Sequence, residues 1–158
     1  VVAGFGRTGR AVVDVLRRAQ VPCAVIDLHH ETVARAIDEG VPAVWGDVGH
    51  EDILRAAGIV HARMLVLAVS DWKSISLGIE RARQISPRVF VVARAVEATH
   101  VAALRSLRVD AVVQPEFEGG VEMVRRALTH LNRSDAEIDD LTGELRRTLY
   151  EPNASAQP

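Results

Sequence analysis

Short apolar runs alternate with amphipathic stretches along nearly the whole chain. Val1-Val2-Ala3 reads as a strand. After Gly4-Phe5-Gly6-Arg7-Thr8-Gly9, residues Val12, Val13, Leu16 and Ala19 share one face of a predicted helix, which Val21-Pro22 breaks. Ala24-Val25-Ile26 predicts a second strand with Asp27 at its carboxyl end, then a helix over 31–39 stopped by Gly40. Ala43-Val44-Trp45 predicts a third strand, and 51–57 a short helix closed by Gly58. The run Met64-Leu65-Val66-Leu67-Ala68-Val69 has no polar interruption, as expected of a central parallel strand buried on both faces. Ser70-Asp71 caps the next helix, whose face is Ile75, Ile79, Ala82 and Ile85. Val89-Phe90-Val91-Val92-Ala93 is a fifth strand that delivers Arg94 to its end. A helix marked by Val101, Leu104 and Leu107 leads to a sixth strand, Ala111-Val112-Val113.

Six strand–helix units in a row predict an open parallel sheet with helices on both faces. Right-handed crossovers and a glycine loop after the first strand select an α/β, Rossmann-like doubly wound six-stranded sheet of order 3-2-1-4-5-6. One or two further helices follow. Phe117, Val121, Val124, Leu128 and Leu131 form an apolar stripe; Ser134-Asp135-Ala136-Glu137 fits a capping box that opens a helix carrying Ile138, Leu141, Leu145 and Leu149. The expected division is a nucleotide-binding domain over 1–132, an amphipathic helix over 133–150 and a disordered tail over 151–158. The final helix stripe faces either the chain's own sheet or a partner.

The glycine loop turns this scaffold toward phosphate chemistry. Gly4 allows the tight turn, Gly6 lets backbone amides approach a phosphate, and Gly9 lets helix and strand pack closely. The helix amino end adds oriented N–H groups and positive dipole potential. Asp27 stands where a carboxylate accepts hydrogen bonds from adenosine ribose hydroxyls, and its charge disfavours a 2′-phosphate. Capping of the next helix is the alternative role for it. Asp47 and Ser70, at the ends of the third and fourth strands, face the same crevice. Asp47 either meets an adenine amino group or caps the helix after it. Arg7 and Arg94 are candidate phosphate partners, and a structural salt bridge is an equal candidate for Arg94. His29 and His30, beside Asp27, read first as surface residues, and their alternative role is to soften its preference against a 2′-phosphate.

Composition narrows the class. The chain of 158 residues suits one domain, and a net charge of -2 gives no electrostatic case for nucleic-acid binding. No apolar run reaches the roughly 20 residues of a membrane helix. No signal peptide is visible. The single Cys23 excludes an internal disulfide, reads as a small apolar filler and suits a reducing cytoplasm. The six histidines have no metal-ligand spacing, and no nucleophile–base motif is present, so neither a metal site nor a catalytic residue is expected. The chain begins at Val1, inside the first strand and without Met, as an excised piece of a longer polypeptide would.

Several blocks together resemble a known family: the glycine loop, Trp45-Gly46-Asp47, Asp52-Ile53-Leu54-Arg55-Ala56-Ala57-Gly58, the stretch from Ala62-Arg63-Met64 to Ser70-Asp71, and Ala93-Arg94-Ala95 with His100. The chain resembles an RCK amino-terminal domain, also called TrkA-N or KTN, and is most like the regulatory domain of Kef-type potassium/proton antiporters. It departs from the Kef pattern at Arg10 and at Gln114-Pro115-Glu116. The resemblance implies a regulatory domain rather than an enzyme, on the cytoplasmic face of the cell membrane within a larger membrane protein. It implies binding of NAD(H) or an adenine nucleotide (AMP, ADP or ATP), a homodimer contact through the helix carrying Phe117 to Leu131, and control of a transmembrane potassium transporter or antiporter. The cofactor-binding residues it implies are Gly4, Phe5, Gly6, Arg7, Thr8, Gly9, Asp27, Asp47, Ser70 and Arg94, flanked by Leu28, Val48, Ala68 and Val69. The competing expectations are the cofactor half of an NAD-dependent oxidoreductase and an interaction module built on the last helix.

Overall fold

The structure is a computed structural model that describes residues 1–151. The strands are β1 (Val2–Ala3), β2 (Val25–Asp27), β3 (Ala43–Trp45), β4 (Met64–Leu67), β5 (Phe90–Arg94) and β6 (Ala111–Val113). All pair in parallel, in the order β3-β2-β1-β4-β5-β6 expected from the alternation. Between them lie α1 (Arg7–Arg18), α2 (His30–Asp38), α3 (Glu51–Ala56), α4 (Trp72–Ile85) and α5 (Thr99–Ser106), with a 3-10 turn at Ile59–His61. Two more helices follow, α6 (Pro115–His130) and α7 (Asp135–Tyr150).

Successive strand residues point to opposite faces, so strands β1 to β5 feed two cores. Val2, Val25 and Val66 pack with Val13 of α1 and Ala36 of α2. Ala3, Ile26, Leu65 and Leu67 pack on the other face with Leu54, Ile75, Ile79 and Leu104 from α3, α4 and α5. This two-sided burial explains the unbroken apolar reading of β4. The strand stops at Leu67, short of the expected Val69: the Ala68 N–H still donates to the Ala3 carbonyl at 2.7 Å, and Val69 then packs beside Gly4. Cys23 is half-buried against the first of these cores.

Helices α4, α6 and α7 each start at a side-chain cap. The Asp71 carboxylate accepts from the Ser74 N–H at 2.7 Å, which holds its pKa below the usual carboxylate range. Gln114 caps α6 by accepting from the Phe117 N–H, with Pro115 in the first turn. The Ser134 hydroxyl accepts from the Glu137 N–H at 3.3 Å and opens α7.

Helix α7 folds back along α6. Arg125 meets Asp139 at 2.6 Å, Arg146 grips Glu118 at 2.8 Å, and the Phe117 and Tyr150 rings meet edge to face. The Arg146 guanidinium pulls the Glu118 carboxyl below its ordinary range, and burial pushes the Tyr150 phenol upward. The Tyr150 hydroxyl accepts from the Gln114 N–H at 3.1 Å, so the end of α7 sits over the exit of β6. The stripe expected on the last helix divides accordingly: Ile138 is buried, Leu149 joins the sheet core, and Leu141 and Leu145 remain exposed. Residues 152–158 of the expected tail lie outside the described residues.

Candidate functional site

The carboxyl ends of β1, β2, β3, β4 and β5 surround a cavity of about 280 Å³. This is the crevice where open α/β sheets bind ligands, beside the strand-order reversal between β1 and β4. Ten of the expected residues line it: Gly4, Gly6, Asp27, Leu28, Asp47, Val48, Ala68, Val69, Ser70 and Arg94. Ala3, Ile26, His29, Thr32, Gly46 and Ser74 line it as well, and sequence reasoning did not single them out for binding. A larger groove of about 1020 Å³ lies at the opposite ends of the strands, lined by residues such as Val1, Cys23, Met64 and Phe90. It has neither carboxylates nor the glycine loop, so the smaller cavity is the candidate site.

The glycines divide their work. Gly4 adopts φ +91, a conformation that L side chains rarely take, and so makes the turn out of β1. A methyl on Gly9 would lie 1.8 Å from the Gly4 carbonyl oxygen, so its bare Cα lets α1 sit against β1. A methyl on Gly6 would meet nothing within 4 Å, and Gly6 lines the cavity. That open space is a cradle a side chain would fill. The start of α1 has no side-chain cap and no acidic residue in its first turn. Its N–H groups and positive dipole end are therefore available to an anion.

Phe5, Arg7, Thr8 and Gly9 do not line the cavity. Phe5 is buried in the core beneath α1 and α2, with the Arg10 guanidinium 4.7 Å over its ring. Arg10 also reaches Glu39 at 2.8 Å, clamping α1 to the end of α2. Arg7 and Thr8 are exposed in the first turn of α1.

Asp27 is buried, and backbone donors fix its carboxylate. Oδ2 accepts from the Phe5 N–H at 2.7 Å and Oδ1 from the His29 N–H at 2.9 Å. It thus ties the glycine loop to the β2 exit; α2 starts after His29 without a side-chain cap. Asp47 likewise does not cap α3. Its Oδ1 accepts from the Gly49 N–H at 2.8 Å and its Oδ2 from the Ser74 hydroxyl at 3.0 Å, pinning the β3 exit to α4. Arg94 pairs with Glu116 across 3.5 Å, while its Nε is buried with no hydrogen-bond partner among the described residues. Trp45 donates from Nε1 to the Leu28 carbonyl at 2.9 Å and meets the His30 ring edge-on. No group of three or more potential metal-binding side chains gathers among the described residues.

A parallel sheet in this order, a glycine loop opening α1 and a polar cavity over the carboxyl edge define a Rossmann-type domain. The chain belongs to the TrkA-N domain family, whose model matches residues 1–115. It is 32% identical over 151 residues to the protein named as K(+) efflux antiporter KefB in Alkalimonas amylolytica, covering 96% of this chain and 23% of that protein. The chain therefore spans about a quarter of the length of the curated relatives it matches. The Kef CTD of Shewanella denitrificans, solved in an AMP-bound form, is 26% identical with TM-score 0.82, covering 97% of this chain and 96% of that one. The TrkA-N domain of the inner membrane protein ybaL of Escherichia coli is 26% identical with TM-score 0.73, over 84% of this chain and 94% of that one.

Proposed function

We propose that this chain is the nucleotide-binding regulatory domain of a potassium transporter or monovalent cation/proton antiporter. It takes NAD(H) or an adenine nucleotide (AMP, ADP or ATP) across the glycine loop, and ligand occupancy controls ion flux. The observation that carries this reading is the open space over Gly6 at the uncapped start of α1, with Asp27 fixed at the β2 exit. Phosphate oxygens fill the first, and ribose hydroxyls meet the second. The negative Asp27 favours an unphosphorylated ribose, hence NAD over its 2′-phosphorylated form. Arg94, with its unpartnered Nε, is positioned to add charge to a phosphate.

The domain senses rather than transforms its ligand. Asp27 and Asp47, the carboxylates lining the cavity, are held by backbone N–H groups and a serine hydroxyl, an arrangement suited to rigidity rather than to proton transfer. The AMP-bound relative and the potassium-efflux names among the similar proteins support the same reading. No helix among the described residues is long and apolar enough to cross a membrane, so the ion pathway belongs to another part of the protein or to an associated subunit.

Calorimetric titration with AMP, NADH and ATP tests the ligand. At least one should bind, and failure of all three with the wild type would end the proposal. Gly6→Ala should melt within about 0.5 kcal/mol of wild type, since its methyl meets no atom, yet bind more than about ten-fold more weakly.

A second copy of the chain covers the outer row of α6. Gly119, Met123, Ala127 and Leu131 recur every four residues and are all exposed, with Met123 at 74%. Alternating small and large residues along one row suit interdigitation with an identical helix. Sedimentation should give a dimer for the wild type and a monomer for Met123→Glu; a monomeric wild type contradicts this.

A further inference from the structure

We propose that the His29 imidazole competes with the nucleotide ribose for Asp27, so that nucleotide affinity falls as the solution is acidified. The proposal rests on the nucleotide reading above. Its basis is a count of lone pairs. An ionised carboxylate offers about four acceptor sites. In this structure three are taken: Oδ2 by the Phe5 N–H at 2.7 Å, and Oδ1 by the His29 N–H at 2.9 Å and by His29 Nδ1 at 3.1 Å. A ribose with adjacent 2′ and 3′ hydroxyls brings two donors to the one site left.

One of the three present donors must therefore leave, and they differ in freedom. The Phe5 and His29 N–H groups belong to the glycine loop and to the turn into α2, and moving either disturbs the backbone. The His29 ring is 83% exposed and hangs on rotatable bonds, so it is the donor that yields. His29 lines the same cavity, and its ring nitrogen already sits 3.1 Å from the Asp27 oxygen that a ribose hydroxyl would need.

The ring's hold on Asp27 depends on its protonation. The contact is a hydrogen bond when Nδ1 carries the proton, and a charge-assisted pair when both ring nitrogens do. Histidine is the side chain whose charge ordinarily changes between about pH 5 and pH 8. Acid strengthens the ring–carboxylate pair, and ribose binding must then break a stronger contact. Affinity accordingly rises with pH as that pair weakens. The other ionisable groups around the site are Asp47 after β3, Arg94 after β5, Arg7 at the start of α1, and His30 and Glu31 at the start of α2. All of these, and the ligand's own phosphate, are the same for wild type and a His29 variant. Comparing the two proteins at each pH isolates the imidazole.

The test is calorimetry of AMP and of 2′-deoxy-AMP with the wild type and His29→Ala, at about pH 5.5 and about pH 8. The variant keeps the residue-29 N–H on Asp27 and removes only the ring. It should bind AMP about five-fold more tightly than wild type at the lower pH, the upper end for an exposed ion pair. The gain should shrink to about two-fold at the higher pH. For 2′-deoxy-AMP, whose single ribose hydroxyl needs only the free acceptor site, the gain should stay below about two-fold at both. No gain for AMP at the lower pH, or an equal gain for the deoxy ligand, overturns the competition while leaving nucleotide binding intact. Absence of AMP binding by both proteins overturns the nucleotide reading and this proposal with it.

Discussion

Replacing Gly9 by alanine is expected to cost about 3 kcal/mol or more of folding stability and to lower the melting temperature by roughly 10 °C. The added methyl would lie 1.8 Å from the Gly4 carbonyl oxygen and 2.9 Å from the Gly4 carbonyl carbon. Both are backbone atoms, so no rotamer change relieves the overlap. Gly4 has no room to retreat, because its own Cβ direction already meets Ala68 and Val69 atoms at 3.0 Å. Helix α1 must lift from β1, which opens the core around Val13 and Phe5. Thermal unfolding of Gly6→Ala beside Gly9→Ala makes the comparison internal: neighbouring glycines, the same substitution, opposite outcomes. If the Gly9 variant melts with wild type, the close approach of α1 to β1 is not what that position provides.

Asp27→Ala should lose nucleotide binding by more than about ten-fold and destabilise the apo domain by about 2 kcal/mol at the same time. The second effect follows from the buried Phe5 N–H, which would be left without an acceptor. A lost partner at a buried donor costs about 1–3 kcal/mol. Asp27→Asn is no conservative escape. Whichever way the amide is turned, its NH2 faces a backbone donor, either Phe5 or His29. Denaturant unfolding of both variants without ligand, followed by AMP calorimetry, separates the two roles. Variants as stable as wild type would show that the carboxylate does not hold the glycine loop; full binding by Asp27→Ala would remove it from the ligand's reach.

The fold was legible because its forces are periodic. A strand buried on both faces must be apolar throughout, and β4 is; a helix on a sheet must repeat its apolar face, and Ile75, Ile79 and Ala82 do. Strand ends were less legible. Val69 continues the apolar pattern past the end of the strand, since packing beside Gly4 rewards the same side-chain types as a strand does. In the site, the glycines and Asp27 stood out because each solves a problem only that residue type solves. Phe5, inside the motif, faces the core instead, because neighbours in a turn point in different directions. Ser74 was invisible as a site residue, because its hydroxyl reaches Asp47 across 27 positions and the contact depends on how α4 meets the β3 exit. His29 was nearer to legible: it stands two positions after Asp27, within reach of that carboxylate by its backbone N–H and its ring.

The sheet ends on both sides in a strand of three residues, β3 and β6. An outer strand carries unpaired backbone groups that can recruit a foreign strand, and brevity is one way to deny it a foothold. The end of α7 lies over the exit of β6 as well. Growth of the sheet from one copy into the next is thereby discouraged. The dimer proposed through α6 would then join two copies by helices, whose packed surfaces can slide and re-register in a way that a shared hydrogen-bonded sheet cannot.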